Sequence, residues 1–100
     1  MKKWNDKEYG AVKWVLQYIS EASVEEKHRK CLRELREIPL TKEIRLTNGQ
    51  MESLIAAICY FEELYTRMSK GYPKGNRTVR DILMRTEYLR SAREKIKGEN

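Results

Sequence analysis

Four helix-start signals punctuate this chain, and their spacing limits what it can fold into more than any other feature. Asn5 stands three residues before Glu8, with Trp4 placed to staple onto Tyr9 across the first turn. Ser23 stands three before Glu26, and Thr47 three before Gln50 beside a Leu46–Met51 staple. Thr78 stands three before Asp81, with Asn76 as an earlier cap for the same helix. Each box answers backbone N–H groups that the first turn of a helix leaves unpaired, and a lost cap costs on the order of 1 kcal/mol.

The apolar pattern behind each signal has the i, i+3, i+4 spacing that puts side chains on one side of a helix. Val12, Val15, Leu16 and Ile19 share a face of the first helix, and Val24, Cys31, Leu32 and Leu35 a face of the second. Met51, Leu54, Ile55, Ile58, Phe61, Tyr65 and Met68 form the broad stripe of the third. The fourth shows Val79, Ile82, Leu83, Thr86, Leu89 and Ile96. The expected fold is therefore all-α: one compact four-helix domain over 1–100 with helices at about 6–20, 24–37, 48–69 and 77–97. An extended connector at about 38–46 separates helices two and three, where Pro39 blocks helix continuation. Ile44-Arg45-Leu46 alternates like a short strand but finds no partner strand elsewhere in the pattern, so it is expected to lie on the core or, in a homodimer, to pair with its copy. The terminal KIKGEN is expected to fray.

Composition agrees. Five glycines and two prolines in 100 residues leave little for a turn-rich β-protein, and 40% hydrophobic content is too high for disorder. No apolar run approaches the roughly 20 residues that cross a bilayer. The opening MKKWNDKEYG lacks the roughly 7–15-residue apolar stretch of a secretory signal, so no membrane association and a cytoplasmic location are expected. Cys31 and Cys59 read as free core thiols.

Signals for chemistry are sparse. His28 and Cys31 stand one turn apart, but a zinc site needs further ligands and usually paired spacings. A Cys–His nucleophile needs an orienting third group, which nothing supplies. His28 continues the apolar seam of its helix and is expected to border the core with one ring nitrogen bonded. Glu25 and Glu26 stand four before Arg29 and Lys30, an arrangement that stabilises a helix. Glu62 lies near the edge of the third helix's stripe and is expected to pair with an arginine of the fourth. No phosphate loop, dinucleotide fingerprint or hydrolase motif is present, and no enzyme, metal or cofactor is expected.

Charge is the uneven feature. Residues 1–66 carry 11 Lys and Arg against 11 Asp and Glu; residues 67–100 carry 10 against four, so the whole +6 lies in the last third. KGYPKGNRTVR sits at its centre. Gly71 is expected to end the third helix in a left-handed turn and Pro73 to keep it from resuming. The cations remain to be explained, because Lys74, Arg77 and Arg80 cluster at a helix N-terminus, whose dipole disfavours positive charge and favours an anion.

Lys70, Tyr72, Lys74, Arg77, Arg80, Arg85 and Tyr88 are therefore the expected surface for nucleic acid, arginine contacting phosphate and tyrosine stacking. The break between helices three and four is too long for a helix-turn-helix. Two alternatives stand beside this one. Trp14 and Tyr18 lie i, i+4 on the first helix, turned away from its core face, and suit a protein partner or a homodimer, with Gly10 permitting close helix approach. Small size and high charge are the sole ground for thinking of a phage or mobile-element adaptor or inhibitor. The weaker alternative is a small anionic nucleotide held by the same cations.

Overall fold

Four α-helices follow one another, α1 (Asp6–Tyr18), α2 (Glu26–Glu37), α3 (Asn48–Ser69) and α4 (Arg77–Lys97), with a 3₁₀ turn at Glu21–Ser23 after α1. The computed structural model describes residues 2–73 and 75–98.

Three of the four starts form as the sequence implies. Asn5 accepts from the Glu8 amide and Glu8 from the Asn5 amide, both at 2.8 Å, and Thr47 and Gln50 exchange the same pair of bonds at 3.1 Å. Asn76, the earlier of the two candidates, caps α4 by accepting from the Thr78 amide at 2.7 Å. The Ser23–Glu26 box does not form: Glu25 occupies the cap of α2 with no side-chain bond, and Ser23 closes the 3₁₀ turn that Ser20 caps. Glu21 organises this corner. Its carboxylate meets Arg33 at 2.6 Å and Arg36 at 4.0 Å, and its carbonyl accepts from Arg29 Nε at 2.9 Å. Arg29 is thereby drawn toward Glu21 rather than into the expected pairing with Glu25.

Other expectations need correction. Gly71 does not adopt the left-handed conformation; α3 ends by tightening, with the Gly71 amide on the Met68 carbonyl at 3.1 Å. The left-handed residue is Gly75, at φ 83°, where the chain turns into the Asn76 cap. The connector also has a partner within the chain. Lys3 and Glu43 form an antiparallel bridge, with the Trp4 amide on the Lys42 carbonyl at 2.8 Å and the Ile44 amide on the Lys2 carbonyl at 3.1 Å. A two-bond pairing with a terminal segment is too short to leave an alternating pattern. Of KIKGEN, Lys95–Lys97 are helical, and burial of Ile96 pins that last turn; Glu99 and Asn100 lie outside the described residues.

α3 is the central helix, packing against each of the other three, while α1 also meets α2 and α4. Val12, Val15, Leu16, Leu32, Leu35, Leu54, Ile58, Phe61, Ile82, Leu89 and Ile96 form the core. Trp4 joins them from the N-terminal segment, fully buried, its indole N–H donating to the Ala92 carbonyl at 3.2 Å. Met68 and Leu83, expected inside, are exposed. Among the described residues no helix is long and apolar enough to cross a membrane.

Candidate nucleic-acid interface

The cations of the last third divide by their neighbours. Arg93 makes a two-bond fork to Glu62 of α3, at 2.7 and 3.2 Å, with both side chains largely covered. This is the α3–α4 pair expected of Glu62. Lys95 is drawn onto the buried carboxylate of Glu8 from α1, and Arg90 pairs with Glu87 one turn back at 2.8 Å. Lys97 is exposed in the final turn, where the helix dipole favours positive charge.

Lys70, Arg77, Arg80 and Arg85 behave differently. All four are exposed, and among the described residues none has a carboxylate within ion-pair reach. Lys70 caps the end of α3, Tyr72 projects from the turn at 43% exposure, and Arg77 opens α4 with Arg80 one turn on. No acidic residue occupies the first turn of α4; Asp81 stands just beyond it and makes no ion pair among the described residues. Lys74 lies outside the described residues. Arg80 borders a shallow depression with Leu83 and Met84, both about half exposed.

Arg85 and Tyr88 join a second feature that brings together residues expected to serve separate purposes. A cleft of about 240 Å³ opens between α1 and α4, walled by Trp14, Tyr65 and Tyr88 and flanked by Lys7 and Arg85. Arg85 lies over the Trp14 ring at 5.6 Å, and Lys7 over the Tyr88 ring at 5.9 Å. Among the described residues no Asp or Glu lines it. Trp14, expected as an anchor for a partner, packs within the chain on one side. It is half-buried, edge-on to Phe61 at 4.8 Å and 5.9 Å from Tyr65, while Tyr18 beside it remains exposed.

Gly10, expected to permit close helix approach at a partner surface, stands open within the single chain. A Cβ added there would meet nothing from the rest of the fold within 4 Å, because the position faces the open cleft. Glycine inside a helix costs roughly 0.8–1 kcal/mol relative to alanine, and the packing gives no reason for it.

Lys7 was not singled out from the sequence, Gly10 was read only as a position for close helix approach, and Tyr65 only as part of the apolar stripe of α3. The available signal was the spacing of Lys7, Gly10, Ala11 and Trp14, which share one face of α1 with a cation, two minimal side chains and an indole.

The remaining candidates are structural. His28 Nδ1 lies 3.0 Å from the Ser53 hydroxyl at the edge of the core. Burial, reinforced by the nearby Glu62, pushes the Cys59 thiol up, which favours the weakly nucleophilic protonated form. Among the described residues no cluster of His, Cys, Asp and Glu could hold a metal ion. Compared with known proteins, the chain matches no family model, no curated protein and no solved structure.

Proposed function

We propose that the protein is a nucleic-acid-binding accessory or regulatory protein whose contact surface is the α3–α4 turn and the outer face of α4. The observation that carries this reading is the exposure of Lys70 at the end of α3 and of Arg77, Arg80 and Arg85 on α4, without carboxylate partners among the described residues, while Arg90, Arg93 and Lys95 of α4 have them. Paired cations have their field cancelled locally; unpaired ones attract polyanions over about a Debye length, roughly 8 Å at physiological salt.

The spread of charge favours a polymer over a small ligand. At about 1.5 Å rise per residue, Arg77 and Arg85 stand about 12 Å apart along the helix, which suits successive backbone phosphates better than one phosphate group. Such contacts fix affinity and register more than sequence.

Replacing Arg77 and Arg80 by alanine tests the surface. Both side chains are exposed, so the domain stays folded by circular dichroism. Affinity for a fluorescein-labelled oligonucleotide at low salt falls at least tenfold, equivalent to about 1.4 kcal/mol. Undiminished affinity in the folded variant rejects this surface.

A further inference from the structure

We infer that the cleft between α1 and α4 is a slot for one unpaired base, so that the protein selects single-stranded over duplex nucleic acid. This rests on the nucleic-acid reading and adds the form of the polymer and the place where its base goes.

The cleft has the chemistry that a flat, electron-rich ring beside a phosphate requires. Trp14, Tyr65 and Tyr88 supply aromatic surface, and bases of any identity stack on such surfaces. Arg85 and Lys7 line it and lie over two of those rings, with no carboxylate in the lining among the described residues. A guanidinium over an indole can stack on a base or reach the adjoining phosphate. The volume, about 240 Å³, falls below the roughly 300–1,000 Å³ of pockets that take drug-sized ligands. One ring system fits that space better than a whole dinucleotide does.

Gly10 points the same way. Its missing side chain leaves room in the cleft and relieves no contact within the fold. Arg85 links the slot to the charged helix, since it lines the cleft and stands about two turns along α4 from Arg77. A strand whose phosphates follow Arg77 and Arg80 therefore arrives at the cleft with a base to place. A base in a duplex is stacked and paired and cannot enter without being extruded.

Three probes test this together: a short oligothymidine, a duplex of the same length, and an abasic strand of the same charge. The wild-type chain binds oligothymidine at least tenfold more tightly than either of the others, with quenching of tryptophan fluorescence as the base stacks on Trp14. Gly10→Leu adds a side chain to the slot from a position where a Cβ meets nothing from the rest of the fold within 4 Å, and a thermal midpoint at or above the wild type's confirms that it folds. In this variant the preference for oligothymidine shrinks to less than threefold and the quenching is lost. Equal binding of the abasic strand and oligothymidine by the wild type, or a full preference retained in Gly10→Leu, overturns the slot while leaving the charged surface standing. Failure of the wild type to bind any of the three overturns the nucleic-acid reading itself, and the slot with it.

Discussion

Glu8 is the residue with the most at stake. It is a fully buried carboxylate that accepts from the Asn5 amide, the Ser91 hydroxyl and the Lys95 ammonium, so one side chain caps α1 and ties it to α4. Burial pushes its carboxyl up, but those hydrogen bonds and the Lys95 charge outweigh burial and hold it below the ordinary glutamate value of 4.5. A carboxyl lowered in the folded state stabilises the fold fully above its unfolded value. That contribution is lost as pH falls through the lower, folded one. Stability of the wild type should therefore decline below pH 4.5. Glu8→Gln should be less stable at neutral pH and show a shallower acid decline, read from urea titrations across the two ranges; an unchanged acid limb would remove Glu8 from the account. Glu8→Ala should cost about 3 kcal/mol, the low end for breaking a buried pair, because Lys95 keeps some access to water. In the sequence Glu8 announces itself only as a capping residue. Its burial depends on Ser91 and Lys95 arriving from more than 80 residues away, which no local pattern encodes.

At the scale of the helix, start signals were legible where they are local and misleading where a distant partner intervenes. Asn5, Thr47 and Asn76 each satisfy a donor two or three residues on, and sequence spacing captures that. Ser23 has the same spacing to Glu26 but no such bond, because three arginines of α2 converge on Glu21 and hold residues 21–23 in a 3₁₀ turn. Thr47→Ala should accordingly cost about 1 kcal/mol, whereas Ser23→Ala should stay within about 0.5 kcal/mol of the wild type. Chemical denaturation of the two variants side by side decides this; equal losses would mean that Ser23 caps after all. The bridge between Lys3 and Glu43 was illegible for a related reason. It consists of backbone bonds alone, which any side-chain sequence can make.

For the whole molecule, the sequence showed where the excess charge lies but not which cations the fold would neutralise. That division came from the packing of α4 against α1 and α3, which brings Glu8 to Lys95 and Glu62 to Arg93. The same packing gathers Trp14, Arg85 and Tyr88 into one cleft, although Trp14 is separated from the other two by some seventy positions of chain. The claim that the uncancelled charge of α4 and its preceding turn binds nucleic acid is tested most directly by the salt dependence of binding to a single-stranded oligonucleotide. Each phosphate contact contributes roughly 0.7 to the slope of log affinity against log salt on single strands, so contacts from Lys70, Arg77, Arg80 and Arg85 predict a slope of about −3. Binding whose strength does not change between low and physiological salt would contradict it.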